Sequence, residues 1–366
     1  MQRPAKSGIV TAAVLAVLVL AGWACTTTPR FRVWWTLPRM REPRNVTQVE
    51  RWIRAAGIAA QLDPDAAAKT LARIGPPAVP LLIRAFETPD INVQTAAADA
   101  LAHIGRPAVP ALVAALKDED SEVRSDAAWV LRNIGPAAKD AVPALIAALK
   151  DKEWTVRLPA TEALGEIGPA AKDAVPALIA ALKGGEPDVR SCATFALGKI
   201  GPDAVPALVA ALKDKDTAVR RHAAWALGAI GPAAVPALTA ALKGTKPRVR
   251  RCAAWALGRI GSAAEPAVPA LTAALKDRKW TIRLDAALAL ADIGPAAKGA
   301  VPALIAALED KHPGVRVRAA SALGSIGPAA KDAAPALVNA LADKDEDVRA
   351  AATEALKKIQ PAPPKQ

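Results

Sequence analysis

Hydrophobic and polar positions follow one repeating pattern through most of the chain. Each copy contains two apolar stretches with helical spacing, such as residues 141–150 and 156–167. The dipeptide Ile-Gly closes each copy and recurs every 30 or 33 residues, at Ile74, Ile104, Ile134, Ile167, Ile200, Ile230, Ile260, Ile293 and Ile326, with Ile359 ending a last copy. A fixed period of this length is typical of stacked helix pairs. The pattern therefore predicts an all-α solenoid rather than several unrelated domains.

Glycine and proline mark the ends of the predicted helices. The glycine after each repeated isoleucine can take the left-handed conformation that ends a helix. Prolines in the first turns cost little, because that N–H has no partner inside the helix; examples are Pro143, Pro176 and Pro206. In the second helix of one repeat a single face carries the predicted core residues Val219, Ala223, Ala226, Leu227 and Ile230. Glycines on these second helices predict a close approach of the neighbouring helix, at Gly165, Gly198, Gly228, Gly258 and Gly324.

The second helix has the consensus Val-Arg-x-x-Ala-x-x-Ala-Leu-Gly-x-Ile-Gly, seen from Val156 to Gly168. On this motif, residues 75–360 resemble the short bacterial HEAT-like repeats first associated with phycobilisome lyases. The resemblance implies about nine helix pairs in a right-handed superhelix, with the second helices on the concave side. A lyase or chaperone role is implied only by the name of that family, since no residue here indicates bilin chemistry.

The pattern divides the chain into five segments. Residues 1–28 form a signal or anchor segment, and residues 29–46 an Arg-, Trp- and Pro-rich linker. Residues 47–74 are expected to form N-terminal capping helices, and residues 75–360 the repeat array. Residues 361–366, which contain three prolines, are expected to form a disordered tail.

The N-terminal segment predicts membrane targeting. Residues 8–25 carry no charge and are long enough to span a bilayer. Three outcomes remain open: a retained anchor, cleavage before Cys25, or lipidation of Cys25. Arginines after this segment favour a cytoplasmic position for the repeats, whereas its charged, apolar and small-residue order favours export. We expect membrane association with the repeats on the periplasmic side, and a cytoplasm-facing anchor stays the alternative.

The positive charge is unevenly distributed. The formal net charge is +13, and residues 1–60 contain nine Lys and Arg against two Asp and Glu. Residues 184–283 contain sixteen Lys and Arg against seven Asp and Glu, so the other repeats are slightly acidic. The middle of the array is therefore its basic region.

The sequence contains no recognisable catalytic or metal-binding set. Its three histidines and three cysteines are His103, His222, His312, Cys25, Cys192 and Cys252. No histidine precedes a glutamate as in HEAT-repeat hydroxylases, and the cysteines lack metal-site spacing. Cys192 and Cys252 occupy the same position two repeats apart, about 20 Å by helix-layer spacing, and are expected to stay unbridged. We predict a monomeric protein that is not an enzyme and needs no metal or cofactor.

One arginine position recurs in nearly every second helix, directly after its first valine or isoleucine. It is occupied by Arg124, Arg157, Arg190, Arg220, Arg250, Arg283, Arg316 and Arg349. Such a row could bind a polyanion. However, aspartates recur in the loops before these helices, at Asp118, Asp151, Asp214, Asp277, Asp310 and Asp343. We therefore favour an Asp–Arg ladder that joins neighbouring repeats.

Aromatic residues in the basic region predict a partner-binding surface. Phe195, Trp225 and Trp255 occupy one position, opposite the core face, in three successive repeats. The basic residues beside them are Arg221, Arg251, Arg259, Lys199 and His222. Exposed tryptophan with arginine is typical of protein-binding hot spots, which favours a non-enzymatic protein-interaction scaffold. Bracing between adjacent helices is the alternative role of the aromatics, and nucleic-acid binding is the less favoured alternative function because the repeats as a whole carry little net charge.

Two further tryptophans, Trp154 and Trp280, each lie two residues before the first apolar residue of a second helix. This position falls at the turn between the helices of a pair. We predict that each ring seals a helix end by packing on a neighbouring repeat.

Overall fold

The computed structural model describes residues 68–69, 71–184 and 186–359. In this part of the chain the regular structure is helical and contains no β-strand. The predicted segments 1–28, 29–46 and 361–366, and most of the capping region 47–74, lie outside the described residues. The α-helices are α1 Val79–Arg84, α2 Ile91–Ile104, α3 Val109–Ala115, α4 Ser121–Ile134, α5 Val142–Ala148, α6 Trp154–Ile167, α7 Val175–Ala181, α8 Pro187–Ile200, α9 Val205–Ala211, α10 Thr217–Ile230, α11 Val235–Leu242, α12 Pro247–Ile260, α13 Val268–Ala274, α14 Trp280–Ile293, α15 Val301–Ala307, α16 Pro313–Ile326, α17 Ala334–Ala340 and α18 Glu346–Ile359.

The helices form two compact units, Met1–Ala163 and Leu164–Gln366. In the described part of the first unit, α1 to α5 and most of α6 form helix pairs. The second unit continues from the end of α6 through α7 to α18. Within each unit a short odd-numbered helix packs on the 14-residue even-numbered helix that follows it, and successive even-numbered helices pack on one another. The predicted α-solenoid architecture of helix-pair repeats is confirmed.

Capping side chains and glycines explain where the helices begin and end. Asp216 caps α10 by accepting a hydrogen bond from the backbone N–H of Ala218 at 2.8 Å, and Asp90 and Asp120 cap α2 and α4 in the same way. The glycine after the repeated isoleucine has a positive φ in each repeat, from 64° at Gly135 to 84° at Gly201. The positive φ that favours glycine is confirmed, but a ψ of −140° at Gly231 lies outside the left-handed helical conformation that the sequence predicts.

The difference between 30- and 33-residue repeats lies in the connector from each even-numbered helix to the next odd-numbered one. Short connectors, such as Gly201–Ala204 and Gly231–Ala234, form four residues of 3₁₀ helix. Long connectors, such as Gly261–Ala267 and Gly294–Ala300, form seven. The three extra residues thus add a 3₁₀ turn and leave the α-helices unchanged, as the sequence predicts.

The even-numbered helices bury the predicted apolar face. Val219, Ala223, Ala226 and Leu227 of α10 are 0% exposed, whereas Ile230 at the end of the helix is only half-buried. The predicted close approach of helices at glycine is confirmed. A Cβ atom at Gly324 would lie 2.9 Å from the Cα of Ala355 in the next even-numbered helix.

The helix α6 continues through a proline that the consensus does not contain. Pro159 cannot donate a hydrogen bond to the carbonyl of Thr155 one turn earlier. The hydroxyl of Ser125, on α4, donates to that carbonyl at 2.9 Å instead. A neighbouring helix of the first unit therefore satisfies the group that the proline leaves open.

Two stretches are long and apolar enough to cross a membrane by composition alone, Thr217–Leu242 and Trp280–Ala307. Each consists of two α-helices joined at a positive-φ glycine, and each packs within the second unit. The buried faces of the repeats account for their hydropathy. They are the stretches of this kind within the described residues.

The predicted Asp–Arg ladder is present in four repeats, where the arginine pairs with an aspartate in the loop after its helix rather than the loop before it. Arg283 Nε and Nη2 donate to the carboxylate of Asp310 at 2.6 and 2.7 Å, and Arg283 Nη1 donates to the backbone carbonyl of Asp277 at 2.9 Å. The same arrangement joins Arg124 to Asp151, Arg250 to Asp277 and Arg316 to Asp343. Each of these four arginines thus links its own loop to the next repeat.

Candidate partner-binding site

Two of the predicted aromatic residues form a ring pair. Trp225 on α10 and Trp255 on α12 have ring centroids 6.4 Å apart at an interplanar angle of 42°. Both project from the side of the helix opposite the buried face, and Trp225 remains 38% exposed. Because the helices pack directly on each other, equivalent positions of successive repeats bring the two rings together.

An arginine completes the pair. The guanidinium carbon of Arg259 lies 3.8 Å from the centroid of the Trp225 ring and 5.5 Å from that of Trp255. Such cation–π contacts contribute about 0.5–1 kcal/mol each at exposed sites. Gly228 leaves room for this arrangement, because a Cβ atom there would lie 3.0 Å from the Cβ of Arg259. We call Trp225, Trp255 and Arg259 the tryptophan cluster.

A cavity of about 290 Å³ adjoins the tryptophan cluster and shares Trp255 with it. We call it the arginine pocket, because four of the residues that line it are arginines, although most of the surface facing the cavity is apolar. It lies along α10, α12 and the start of α14, and is lined by Thr217, Arg220, Arg221, Ala224, Arg248, Arg251, Cys252, Trp255 and Asp285. Arg221 and Arg248 are exposed, whereas Arg220 is buried to 8% exposure.

One carboxylate offsets part of this charge. Arg251 Nε donates to Asp285 at 2.8 Å, and the Asp285 side chain is only 10% exposed. Burial raises the pKa of the Asp285 carboxyl, and the hydrogen bond from Arg251 opposes that rise. Four arginines against one aspartate leave the pocket strongly positive.

The cysteine in the pocket is not set up as a nucleophile. Burial raises the pKa of the Cys252 thiol, although Arg220 and Arg251 act in the opposite direction. A raised pKa keeps the thiol protonated and weakly reactive. As predicted, Cys192 and Cys252 do not form a disulfide with each other.

The other predicted site residues lie outside the tryptophan cluster. Phe195 on α8 is 64% exposed, and within the described residues its ring does not pair with Trp225. Lys199 Nζ donates to Glu166 at 2.7 Å, on the preceding even-numbered helix. Of the predicted residues, Arg221 and Arg251 line the arginine pocket, and Arg259 belongs to the tryptophan cluster.

The imidazole of His222 is engaged within the protein. Its Nδ1 lies 2.9 Å from the hydroxyl oxygen of Thr194 on α8. Burial lowers the pKa of His222, and the charges of Arg221 and Arg190 lower it further. A neutral imidazole braced against α8 is therefore the form that the structure favours near neutral pH. That the predicted residues bind a partner stays a prediction.

Several pocket residues were missed by the sequence analysis. Arg220 belongs to the repeated ladder position, so its pattern indicates a scaffold role. Arg248 and Thr217 lie in first turns, where residues vary from repeat to repeat. The one available signal was the density of basic residues from 246 to 251, where four of six positions are lysine or arginine.

The remaining predicted features were a helix-end seal and the lack of a metal site. The Trp280 ring stacks on His312 of the next repeat at 3.7 Å between centroids and 8° between planes, which confirms its predicted packing. Trp154 is 47% exposed, and its seal stays a prediction. In the part of the chain that the structure describes, no three His, Cys, Asp or Glu residues are grouped so as to hold a metal ion.

Comparison with known families agrees with this helix-pair architecture. The sequence profile of HEAT repeats matches residues 63–132, 109–190, 175–242, 206–291 and 268–357, which together cover most of the chain. The chain belongs to the HEAT repeat family. No curated protein sequence matches this HEAT-repeat chain.

Solved structures of karyopherin Kap121p share the fold. A multiple mutant of Kap121p is 17% identical, with a TM-score of 0.57 over 95% of this chain and 43% of the Kap121p chain. Kap121p bound to Nup53p is also 17% identical, with a TM-score of 0.56 over 83% and 40%. Kap121p bound to the extreme C-terminus of the protein phosphatase Cdc14p is 16% identical, with a TM-score of 0.55 over 86% and 42%. The HEAT-repeat chain therefore spans well under half the length of these structures.

Proposed function

We propose that this HEAT-repeat protein is a non-enzymatic scaffold that binds a segment of a partner protein on the tryptophan cluster. The observation that carries the proposal is the Trp225–Trp255 pair with Arg259 over its rings, on the exposed side of α10 and α12. Tryptophan and arginine are the side chains most enriched in binding hot spots. The cluster also lies in the most basic stretch of the array.

The fold supports this proposal without specifying the partner. HEAT-type stacks present long surfaces made from equivalent positions of successive repeats. Kap121p, which shares the fold, has been solved bound to Nup53p and to the C-terminus of Cdc14p. Since one fold serves many functions, the argument for this chain rests on its own cluster.

Membrane attachment is part of the same proposal. Residues 8–25 would hold the repeats at a membrane, with the array on the periplasmic side of a bacterial cell and acting as a monomer. Fractionation of cells that produce the full chain or residues 29–366 tests the attachment. Loss of the membrane fraction only in the shorter chain supports it, and equal distribution of the two chains contradicts it.

The cluster is tested by replacing its tryptophans and measuring partner capture. A chemical crosslinker is applied to cells that produce the tagged full chain, and proteins retained by the wild type are identified by mass spectrometry. Trp225→Ala with Trp255→Ala is expected to weaken capture of the retained partner by about thirtyfold or more, the loss expected from one hot-spot residue of at least 2 kcal/mol.

Trp154→Ala with Trp280→Ala is the matched control, because these two tryptophans are also exposed and lie outside the cluster. The control is expected to retain the partner. Unchanged capture by the Trp225 and Trp255 variant, with its helical circular dichroism intact, would overturn the proposed function.

Nucleic-acid binding is the second candidate, and the four arginines of the pocket are the observation that favours it. Binding through phosphates falls steeply with salt, because each neutralised phosphate releases counterions. Partner capture that persists at high salt supports a protein partner. Capture that disappears with salt and with nuclease treatment supports nucleic acid.

A further inference from the structure

The arginine position of the ladder is built to hold a carboxylate. In four repeats the guanidinium at this position donates a hydrogen bond to the carboxylate of an aspartate in the next loop, with Nε–O distances of 2.6 to 2.8 Å. In Arg124, Arg283 and Arg316, Nη2 binds the second oxygen of the same carboxylate. This two-point geometry matches the planar guanidinium to a planar carboxylate.

Arg220 occupies the same position but lacks that aspartate. Gly244 stands in the loop where the four paired repeats have the aspartate, as Gly184 does in the loop that follows Arg157. Arg220 Nη1 donates hydrogen bonds to the backbone carbonyls of Asp214 and Lys215, at 2.8 and 2.7 Å. Its Nη2 donates to the hydroxyl of Thr217 at 2.7 Å. Within the described residues it makes no ion pair.

Arg220 and Thr217 both line the arginine pocket, together with the exposed Arg221 and Arg248. Arg251 adds a fourth positive charge, which Asp285 partly offsets. Arg220 therefore combines the lack of a loop aspartate with a position in the wall of a cavity. That cavity is large enough for a small side chain, with a volume of about 290 Å³.

We infer that the arginine pocket receives an aspartate or glutamate side chain of the bound partner, so that the recognised segment is acidic next to an apolar residue. This inference rests on the proposed function and adds the chemistry of its ligand. The four arginines of the pocket favour an anion, and four other repeats pair the arginine of this position with a carboxylate. Trp255 belongs to both the pocket and the cluster, so the apolar residue of the same segment packs on the tryptophans.

The test uses the full chain in detergent micelles and two fluorescein-labelled synthetic peptides. One peptide contains leucine and tryptophan flanked by glutamates, and the other has glutamine at every glutamate. Fluorescence anisotropy measures both dissociation constants. The glutamate peptide is expected to bind at least about tenfold more tightly, because charge complementarity discriminates between partners.

Arg221→Gln with Arg248→Gln is expected to remove this preference, since both side chains are exposed and line the pocket. Lys298→Gln with Lys331→Gln is the matched control. It removes the same charge from exposed connector positions of other repeats in the same unit, and is expected to keep the preference.

Four outcomes would overturn the inference. These are failure of the glutamate peptide to bind, equal binding of the two peptides, equal loss of preference in the pocket and control variants, and tighter binding of a single-stranded oligo-dT than of the glutamate peptide. The last outcome would assign the pocket to phosphates.

The two proposals fail separately in the partner-capture experiment. If the Trp225 and Trp255 variant loses the partner while the Arg221 and Arg248 variant keeps it, the proposed function stands and the acidic ligand is wrong. If the tryptophan variant keeps the partner, the proposed function fails, whatever the peptides show.

Discussion

The second unit contains two kinds of repeat, and the comparison between them separates internal bonding from binding. In the repeats from α12 to α18 the connectors are long, and the ladder arginine forms an ion pair with the aspartate of the next loop, as in Arg283–Asp310 and Arg316–Asp343. We call each such ion pair a rung of the ladder. Between α8 and α12 the connectors are short. There Asp214 pairs with Lys183 at 2.8 Å, and Gly244 replaces the next aspartate. Trp225, Trp255 and the four arginines of the pocket lie on α10 and α12, in these short-connector repeats.

Connector length offers a physical reason for this division. Three residues of 3₁₀ helix rise about 6 Å, which is twice the length of a hydrogen bond. The connector sets where the following odd-numbered helix begins. A shift of about 6 Å there also moves the loop after that helix, and so its distance from the arginine on the even-numbered helix before the connector. We therefore expect the short connectors to keep Arg220 out of the ladder. After the long connector Gly168–Ala174 it is the residue type, Gly184, that leaves the aspartate position empty of a carboxylate.

Breaking one complete rung should have the largest effect. Arg283→Leu removes the guanidinium and leaves Asp310, whose side chain is 11% exposed, without its charge partner. We expect the opening free energy of α14 to α16 to fall by about 3 kcal/mol, because an uncompensated buried charge is costly. Hydrogen exchange read by mass spectrometry measures this locally.

Arg220→Leu is the corresponding change in the middle repeats. It removes hydrogen bonds to backbone carbonyls and to Thr217 but leaves no carboxylate without its charge partner. We therefore expect a smaller loss of opening free energy, about 2 kcal/mol. Equal losses in the two variants would mean that the aspartates do not distinguish the two kinds of repeat.

The sequence predicted the helices and the buried face well because both depend on local chemistry. Glycine at positive φ and proline in first turns act within a few residues, and the apolar face of α10 follows from periodicity alone. The ladder was predicted as a class of contact, but the pairing of each arginine with the following loop was not. That pairing depends on the packing of successive repeats, which a one-dimensional pattern does not contain.

The candidate site was predicted only in part for the same reason. Equivalent repeat positions correctly placed Trp225 and Trp255 together, since stacking repeats superimposes such positions. The contacts of Lys199 with Glu166 and of His222 with Thr194 could not be read from position alone. Arg220 looked like scaffold because its difference from the four paired ladder arginines lies in a glycine 24 residues away.

Adding one methyl group should destabilise one region more than the other. Gly324→Ala places a Cβ atom 2.9 Å from the backbone of Ala355, and overpacking of this kind costs about 1–3 kcal/mol. Alanine gains about 1 kcal/mol in helix propensity, so a net loss of about 1 kcal/mol is expected. Thermal unfolding followed by circular dichroism measures it.

Gly228→Ala meets a side chain rather than backbone, at 3.0 Å from the Cβ of Arg259. The gain in helix propensity should offset the cost of displacing the Arg259 side chain. We expect the free energy of unfolding to stay within about 0.5 kcal/mol of the wild type. The displaced guanidinium should change the fluorescence of Trp225. Equal destabilisation by the two alanines would contradict the comparison.

Acid should weaken the long-connector repeats first. The hydrogen bond from Arg316 holds the pKa of Asp343 below its ordinary value. A lowered pKa stabilises the fold fully above about pH 4, and this contribution is lost as the pH falls through the lower folded-state value. We expect less than about 1 kcal/mol for this rung, seen as faster hydrogen exchange in α16 to α18 below pH 4.

The control for the acid effect is Arg316→Leu, which should remove the extra pH dependence of α16 to α18. Burial raises the pKa of Asp285 on α14, so that group acts in the opposite direction and α14 is left out of the comparison. A pH dependence unchanged by Arg316→Leu would rule out the rung as its source.

Restoring the missing aspartate should have the smallest effect. In the short-connector repeats the loop carboxylate of Asp214 binds Lys183, so Gly244→Asp alone is not expected to reach Arg220. We expect a stability change below about 0.5 kcal/mol, the range of an exposed charge. Insertion of Lys-Asp-Ala after Ala234 would reproduce the long connector Gly135–Ala141. Combined with Gly244→Asp, it should add about 1 kcal/mol by completing the rung.

The combined variant also tests whether a rung and a bound ligand compete for the same arginine. An internal carboxylate on Arg220 should weaken binding of the glutamate peptide, because it cancels one of the four positive charges of the pocket. Full stabilisation by Gly244→Asp without the insertion would show that residue type, and not connector length, separates the two kinds of repeat.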